Sequence, residues 1–427
     1  MERQYKDSGI EWIGRIPETW DVCKLNYIYR FQTGATPPSK VEQYFDGDIK
    51  WANIADLNFQ YVYDTNKHLS EAGVAKCNMN ISPKGSLMYS FKLSVGAVAF
   101  CGCDMYTNEA IATFLQGHGN LHYLYYMVQV AIINNANYNI YGAPMLNQDL
   151  IQNALVINPP LADQQRIADY LDEKCGEIDS LIGLQEQMIE KLKAYKQSII
   201  TEAVTKGLNP NAKLVPSGID WIGDIPEGWA ITDMKNLCVS ITDGSHFSPE
   251  RQSEGMPYIT AGDVRGRGID YNAAMRISIE DYNMLESQGC RPHKGDVLVV
   301  KDGATTGRVG MMIDDEECVL LSSVAMLSPI SIVDSDYLMF LIQSDVIQAQ
   351  IRLLMAGSAM PRVTLKKINA LKGFLIPTEE QKAIATYLDS KCGEIDKLIA
   401  VKQQKIEKLK EYKKSVIYEA VTGKTIV

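Results

Sequence analysis

The feature that most constrains the fold is an internal duplication. The segment Tyr170–Ile182 reads YLDEKCGEIDSLI and Tyr387–Ile399 reads YLDSKCGEIDKLI, so eleven of thirteen positions are identical. A second pair, Ser8–Trp20 (SGIEWIGRIPETW) and Ser217–Trp229 (SGIDWIGDIPEGW), matches at ten of thirteen positions. Both pairs recur after roughly two hundred residues, a period far longer than that of solenoid repeats. The sequence therefore predicts two copies of one unit, each made of a domain and a helix.

The last part of each copy has the pattern of a long helix that pairs with another helix. Apolar residues recur alternately every three and four positions, which is the coiled-coil spacing. The predicted helix-pairing residues are Leu171, Ile178, Ile182, Ile189, Leu192, Ile199, Leu388, Ile395, Ile399, Ile406, Leu409 and Val416. We expect the polar seam residues Gln185, Lys196, Lys402 and Lys413 to fix the register. Packing of each helix on its own domain is the alternative, but it would need a wider apolar stripe.

Prolines and glycines mark the predicted boundaries. Pro160 and Pro377 precede the two helices, and Gly207 and Gly423 follow them. The segment Thr378–Gln381 (TEEQ) predicts a capping box. The predicted order is a first domain at 1–160, a helix at 161–206, a linker at 207–217, a second domain at 218–377, a helix at 378–422 and a tail at 423–427. Short β-rich runs within the domains predict a mixed α+β fold, with two related α/β domains and two long coiled-coil helices.

The repeated tryptophan segment is predicted to be a structural joint. The internal copy follows the end of the first helix, and the N-terminal copy would follow the end of the second helix if the chain were drawn as a circle. We therefore expect each copy to seat one domain on the end of the neighbouring helix. A motif that binds an outside partner is the alternative interpretation.

Composition and motifs argue against chemistry in this chain. Asn158–Leu161 (NPPL) has no aromatic residue to stack on a flipped base, and Gly423-Lys424-Thr425 lacks the remaining glycine of a phosphate-binding loop. Five histidines show no ligand spacing, so we predict no metal site and no catalytic residues. Nine irregularly spaced cysteines and the lack of a long apolar run predict a cytoplasmic protein that does not enter a membrane.

Several segments together resemble the specificity subunit of type I restriction-modification systems. They are SGIEWIGRIPETW (8–20), TDGSHFSP (242–249), KDGATTGRVG (301–310), the Pro–acid–Gln-Gln helix start and EAVTGK (419–424). The likeness covers both halves of the chain in the expected order. It departs at Ser90–Val98 (SFKLSVGAV), which stands where the second half has KDGATTGRVG.

The resemblance implies two target-recognition domains that bind double-stranded DNA, held apart by two antiparallel helices. It also implies assembly with two methyltransferase subunits and with restriction subunits. S-adenosylmethionine, ATP and magnesium would belong to those partners, and no cofactor is expected in this chain. A non-catalytic coiled-coil adaptor that bridges protein partners without recognising DNA is the alternative function.

Polar loops in both domains are the candidate DNA contacts, because recognition needs side chains at base edges. The net charge of −10 is poorly suited to neutralising phosphates, so we expect the partner subunits to supply that part of the affinity. The candidate DNA-binding residues are Thr33, Thr36, Lys40, Ser90, Lys92, Tyr141, Asn147 and Gln148 in the first domain, and Thr242, Ser245, His246, Lys301, Thr305, Arg308, Ser358 and Arg362 in the second.

Each of the two domains is expected to bind one part of the DNA target, which we call a half-site. If the helices set the spacing between the two half-sites, lengthening one helix should change only that spacing. Inserting four helical residues after Ala203 adds about 6 Å. At a rise of roughly 3.4 Å per base pair, the gap between the half-sites should grow by one or two base pairs. Sequencing of the methylated sites measures the gap. An unchanged gap with full activity would show that the helices do not determine it.

Overall fold

The computed structural model describes residues 4–92, 94–219, 222–355 and 361–427. The chain forms two compact units, which we call unit 1 (residues 1–185 and 404–427) and unit 2 (residues 186–403). Each of the two long helices contributes one segment to each unit. In the part of the chain that the structure describes, no helix is both long enough and apolar enough to cross a membrane.

Unit 1 is a mixed α+β domain packed on segments of the long helices. Its strands are β1 (Tyr5–Asp7), β2 (Arg15–Pro17), β3 (Asp21–Lys24), β4 (Phe31–Thr33), β5 (Ile49–Ala52), β6 (Tyr61–Val62), β7 (His68–Leu69), β8 (Leu87–Ser90), β9 (Val98–Cys101), β10 (Tyr106–Thr107), β11 (Ile111–Phe114), β12 (Asn137–Tyr138), β13 (Pro144–Met145) and β14 (Leu155–Asn158). Its shorter helices are α1 (Glu71–Cys77), α2 (Leu121–Asn134) and α3 (Gln148–Gln152). The long helix α4 spans Leu161–Lys206.

Unit 2 is also a mixed α+β domain packed on segments of the long helices. Its strands are β15 (Leu214–Pro216), β16 (Asp224–Pro226), β17 (Ala230–Asp233), β18 (Cys238–Asp243), β19 (Met256–Ile259), β20 (Val264–Arg265), β21 (Gly268–Ile269), β22 (Met275–Ile277), β23 (Val297–Val300), β24 (Val309–Met311), β25 (Val319–Leu320), β26 (Val324–Pro329) and β27 (Lys372–Leu375). Its shorter helices are α5 (Ile279–Ser287), α6 (Ser335–Gln343), α7 (Asp345–Leu354) and α8 (Leu365–Asn369). The second long helix, α9, spans Thr378–Val421.

The central sheets of the two units share one plan. The strand order is β4-β11-β8-β9-β6 in unit 1 and β18-β26-β23-β24 in unit 2. The middle strands pair antiparallel, and β23 (VLVV) is buried along its whole length, as its continuous apolar run predicts. A smaller sheet accompanies each one, β10-β5-β7 and β22-β19-β25, and each contains one parallel pair. The mixed α+β fold predicted from the short β-rich runs is confirmed.

The long helices pair antiparallel within each unit. In unit 1, Lys413 of α9 forms an ion pair with Asp179 of α4 at 2.7 Å. In unit 2, Lys196 of α4 forms the equivalent pair with Asp396 of α9 at 2.7 Å. Two of the polar residues that we expected to fix the register therefore make the duplicated cross-helix contact. Because these pairs are partly exposed, each contributes only about 0–1 kcal/mol to stability.

The helix segments also pack on the domains. All twelve predicted helix-pairing residues are buried or half-buried. Leu171 joins Leu124 of α2 and Val416 of α9 in the core of unit 1, and Leu388 joins Leu338 of α6 in the core of unit 2. Helix pairing and packing on the domain, considered as alternatives from the sequence, thus occur together.

The predicted capping box at the start of α9 is wrong. The Gln381 side chain is fully buried, and its Nε2 donates to the carbonyls of Ile332 at 3.0 Å and Ile376 at 2.8 Å. Its Oε1 accepts a hydrogen bond from the Asp334 N–H at 2.7 Å. In unit 1, Gln164 is likewise buried, and it donates to the Pro159 carbonyl. These glutamines bind loops of the domain to the helix start, because a buried amide must satisfy its own hydrogen bonds.

The tryptophan that ends each repeated segment lies between the start of one long helix and the end of the other. In unit 1, Trp20 Nε1 donates to the Asp163 carboxylate at 2.9 Å, in the first turn of α4. Beyond the end of α9, Gly423 packs against the same indole ring. The Tyr418 hydroxyl of α9 donates to the Trp12 carbonyl at 2.8 Å, which ties the segment to the helix a second time.

Unit 2 repeats this contact with the two helices exchanged. Trp229 Nε1 donates to the Glu380 carboxylate of α9 at 3.0 Å, and Gly207 at the end of α4 lies beside the ring. A carboxylate in a first helical turn is further stabilised by the helix dipole. These contacts confirm that the segment is a structural joint. Asp220 and Trp221 of the second copy lie outside the described residues.

Alanine substitutions at Gly207 and Gly423 form a matched test of the joint, because both glycines have a φ of +71°. That left-handed conformation costs either alanine about 1–2 kcal/mol. At Gly423 the new Cβ would also lie 2.6 Å from the Pro17 ring and 2.7 Å from Trp20, whereas at Gly207 the nearest atom is the flexible end of Glu380, at 2.9 Å. We expect Gly423→Ala to lower the free energy of unfolding by about 1–3 kcal/mol more than Gly207→Ala does. Chemical denaturation followed by circular dichroism measures both, and equal losses would contradict this account of the joint.

Candidate nucleic-acid interface

The candidate loops of unit 1 leave one edge of the central sheet. Strand β4 ends at Thr33, which pairs with Ala112 at the start of β11. Strand β8 ends at Ser90, which pairs with the adjacent Ile111. Gln148 reaches this edge as well, because its Nε2 donates to the Thr33 hydroxyl at 3.0 Å. The structure therefore brings together candidate residues from three separate loops of the first domain, those that contain Thr33, Ser90 and Gln148.

The central sheet of unit 2 has an equivalent edge. Strand β18 ends at Asp243, which pairs with Ala325, and β23 ends at Val300, which pairs with the adjacent Val324. By this register Asp243 corresponds to Thr33 and Lys301 corresponds to Phe91. Aligning the two threonines Thr33 and Thr242 would therefore be one position out of step, because Gly34 corresponds to Gly244. The glycine that both loops contain, Gly34 or Gly244, is the sequence signal for this alignment.

The first loop of each unit has the same backbone supports. Ala35 N–H donates to the Thr107 carbonyl at 3.0 Å, and Ser245 N–H donates to the Leu320 carbonyl at 2.8 Å. The preceding glycines, Gly34 and Gly244, pass so close to these strands that a Cβ at either position would overlap the same carbonyl group. Only glycine allows this approach.

In each unit, an aromatic side chain of the smaller sheet donates a hydrogen bond to this loop. Trp51 Nε1 donates to the Ala35 carbonyl at 3.0 Å, and the Tyr258 hydroxyl donates to the Phe247 carbonyl at 2.8 Å. Burial raises the pKa of Tyr258 to about 12, so its hydroxyl keeps its proton near neutral pH. Trp51 and Tyr258 occupy equivalent positions on β5 and β19, where each is opposite a parallel strand. Sequence reasoning did not identify either residue.

Most candidate side chains are available at the surface. The exposed candidates are Thr36, Lys40, Lys92, Tyr141, Asn147, Gln148, Thr242, His246, Arg308 and Arg362, whereas Thr33 and Thr305 are half-buried. Tyr141 lies at the tip of the β12–β13 hairpin and is 87% exposed. Ser358 lies outside the described residues. Contact of these side chains with DNA stays a prediction.

Three candidates are buried, and we correct their expected role from base contact to support of the loops. Ser90 is fully buried, and its hydroxyl accepts a hydrogen bond from Ala97 N–H at 2.9 Å. Ser245 is 8% exposed, and its hydroxyl accepts from Phe247 N–H at 2.9 Å. Lys301 is 2% exposed and forms ion pairs inside the domain. Short polar side chains often satisfy nearby backbone groups in this way.

Lys301 is the centre of an ionic network that joins three loops of unit 2, which begin or end at Asp243, Asp302 and Arg362. Its ammonium group lies 2.8 Å from the Asp302 carboxylate and 3.2 Å from that of Asp243. Asp302 in turn pairs with Arg362 at 2.9 Å. A buried ammonium is tolerated only when its charge is paired, so Asp243 and Asp302 explain the position of Lys301. Neither aspartate was among the candidate residues, although each is the sequence neighbour of one, Thr242 or Lys301.

Arg308 faces another part of the unit. Its guanidinium donates to the Val264 carbonyl at 3.3 Å, and the side chain lines a cleft that Lys193 and Lys196 of α4 also line. In the ranges that the structure describes, no three His, Cys, Asp or Glu side chains converge as metal ligands would. Each of the two sheet edges presents polar loop side chains at the surface.

Comparison with known proteins identifies this architecture. A family model described as the type I restriction modification DNA specificity domain matches residues 17–194 and 226–411. The MjaVIII specificity subunit of a type I restriction enzyme from Methanocaldococcus jannaschii is 24% identical over 423 residues, which cover 96% of this chain and 94% of that protein. The MjaIX specificity subunit of the same organism is 26% identical over 66% of this chain and 66% of that protein.

A bacterial relative and a solved structure agree with these matches. The EcoBI specificity subunit of Escherichia coli is 26% identical over 68% of this chain and 62% of that protein. A chain from a structural study of complex assembly and conformational transition in the type I R-M system superposes with a TM-score of 0.69 and 15% identity, over 95% of this chain and 98% of that one. At this identity the likeness to the solved structure shows the fold.

The corrected role of Ser90 can be tested at one amide. Ser90→Ala removes the acceptor of the Ala97 N–H, so the exchange of that amide with solvent should become about two- to tenfold faster, as expected for the loss of about 0.5–1.5 kcal/mol. The Gly102 amide, which donates to the Val62 carbonyl at 2.8 Å, is the internal control and should exchange as before. Hydrogen exchange measured by NMR separates the two amides. Unchanged exchange at Ala97 would show that the hydroxyl does not support the loop.

Proposed function

The chain belongs to the family of type I restriction-modification DNA specificity subunits, and we propose that it recognises an asymmetric, bipartite DNA target with one half-site for each unit. In this proposal the chain itself performs no chemistry. It selects the sequence at which methyltransferase subunits act on DNA and at which restriction subunits assemble. We place the complex in the cytoplasm.

One observation carries the proposal: an equivalent sheet edge in each unit presents loops that differ in sequence. Both edges keep the same backbone supports, including the glycine and the aromatic donor. The side chains that they present differ, with Thr36, Lys92 and Gln148 in unit 1 and His246 and Arg362 in unit 2. Rigid supports beneath variable polar loops are suited to recognition of base edges. Two different sets of side chains favour two different half-sites.

The charge of the chain favours a division of labour with its partners. Specific DNA affinity usually contains a large contribution from phosphate neutralisation, which a chain of net charge −10 supplies poorly. We propose that two methyltransferase subunits contribute the basic surface that encloses the duplex. S-adenosylmethionine would bind to those subunits, and ATP and magnesium would bind to the restriction subunits.

Co-expression with a methyltransferase subunit tests the proposed function. The modified DNA is sequenced for methylated adenines, and the same methyltransferase subunit expressed without this chain is the control. A two-part asymmetric motif that depends on this chain would support the proposal. An adaptor that recognises no DNA would leave the methylation pattern the same in both samples, and that result would favour the alternative.

Binding of the isolated chain should differ sharply from binding of the complex. We expect the isolated chain to bind duplex DNA with a dissociation constant of about 10⁻⁴ to 10⁻⁶ M at physiological salt, and to bind more weakly as salt rises. The complex with methyltransferase subunits should bind its target at about 10⁻⁸ M or tighter. Fluorescence anisotropy at several salt concentrations measures both. Nanomolar, sequence-specific binding by the isolated chain would contradict the proposed division of labour.

A further inference from the structure

We propose that Arg362 recognises a guanine in the second half-site and that Asp302 and Lys301 are the positioning residues that fix its guanidinium. This inference rests on the proposed function and names the residues that give unit 2 part of its specificity. It follows from the geometry, burial and charge of the network that joins the three loops.

The backbone on both sides of Arg362 is fixed to the loop that begins at Lys301. Arg362 forms an antiparallel bridge with Asp302. The Pro361 carbonyl accepts hydrogen bonds from Gly303 N–H at 3.0 Å and from the Thr306 hydroxyl at 3.1 Å. Val363 N–H donates to the Lys301 carbonyl at 2.9 Å. Because three successive residues are held in this way, the Cα of Arg362 has a defined position at the sheet edge.

The side chain of Arg362 is oriented by one carboxylate. Its Nε lies 2.9 Å from Asp302 Oδ1, and 55% of the side chain is exposed. This contact holds the base of the planar guanidinium and leaves its two Nη groups at the outer end. A fork of two N–H donors matches the N7 and O6 acceptors of guanine in the major groove.

The buried ammonium of Lys301 keeps Asp302 in place. Asp302 shares its carboxylate between Lys301 and Arg362, and Asp243 provides Lys301 with a second acidic partner. Without Lys301 the two carboxylates would be left close together inside the domain with less compensation. Lys301 therefore acts through Asp302, and its own ammonium is too deeply buried to contact a base.

The charge balance favours a base over a phosphate. Two cations, Lys301 and Arg362, face two anions, Asp243 and Asp302, so the network is neutral as a whole. A neutral network is poorly suited to displacing counterions from the DNA backbone, whereas a directional pair of donors needs no net charge to discriminate between bases. The network is therefore suited to selecting a sequence, with the affinity supplied elsewhere.

The test uses the complete chain in complex with its methyltransferase subunits and a DNA library in which the second half-site is randomised. Sequencing of the methylated molecules gives the selectivity at each position. We expect Arg362→Ala to reduce the preference for guanine at one position of the second half-site by roughly ten- to a hundredfold and to leave the first half-site unchanged. Arg362→Lys should lose most of the same preference, because lysine has no planar fork.

The variant Asp302→Asn tests whether Asp302 orients Arg362 or only stabilises the domain. It keeps the size of the side chain and removes its charge, so selectivity should fall at the same position as in Arg362→Ala, while selectivity at the other positions and in the first half-site is retained. Arg265→Ala is the matched control. Arg265 has a comparable exposure of 61% and pairs with Asp270 at 3.2 Å, but it belongs to the β20–β21 hairpin outside the network. This control should leave the selectivity at every position unaltered.

Three outcomes would overturn the proposal. Unchanged selectivity in Arg362→Ala would do so. An equal loss on all sequences, with a salt slope reduced by about one and recovery in Arg362→Lys, would identify a phosphate contact instead. Failure of Arg362→Ala to assemble with the methyltransferase subunits would identify a protein contact. If the unaltered complex selects no sequence, the proposed function itself fails, which distinguishes that result from the other three.

Discussion

The contact on which both units depend is the hydrogen bond from a buried tryptophan to a carboxylate in the first turn of a long helix. Trp20 makes it with Asp163, and Trp229 makes it with Glu380. The other long helix ends against the same ring, at Gly423 in unit 1 and at Gly207 in unit 2. One side chain thus fixes the first strands of the domain, the start of one helix and the end of the other. An indole can do this because it combines a large apolar surface with a single directional donor.

In both units, the residues that support the loops are distinct from the side chains that the loops expose. The buried strands β8 and β23, the glycines of the first loops and the donors Trp51 and Tyr258 keep one backbone geometry in both units. The exposed side chains at the described loop ends, such as Thr36 and His246, carry no such constraint because they lie at the surface. Side chains there can differ between the units at little cost to stability, because surface substitutions away from caps and networks usually change it by less than about 0.5 kcal/mol.

The clearest divergence lies at two equivalent buried positions, Phe91 and Lys301. Both residues are almost completely buried, and each donates its N–H across the sheet edge, to Ala110 and to Ser323 respectively. Phe91 fills the interior with an apolar ring, whereas Lys301 needs carboxylates around it. In unit 2, the buried lysine is therefore accompanied by Asp243 and Asp302 at the sheet edge. Asp302 also forms the ion pair that orients Arg362. In unit 1 the neighbouring Lys92 is exposed and its ammonium lies 5.7 Å from the centre of the Phe91 ring.

The sequence alone determined the duplication, the two long helices, the mixed α+β class and the joint, because each has a local pattern: a repeat, a 3.5-residue period, short β-rich runs, or an unusual segment written twice. It also located the candidate loops, since glycine and proline mark turns. Only the tertiary structure decided which of their residues face outward. Burial of Ser90 and Lys301, the one-position shift between Thr33 and Asp243, and the supports from Trp51 and Tyr258 all depend on strand pairing between distant parts of the chain. A side chain's exposure and charge partners are set by that packing, and a local pattern cannot encode them.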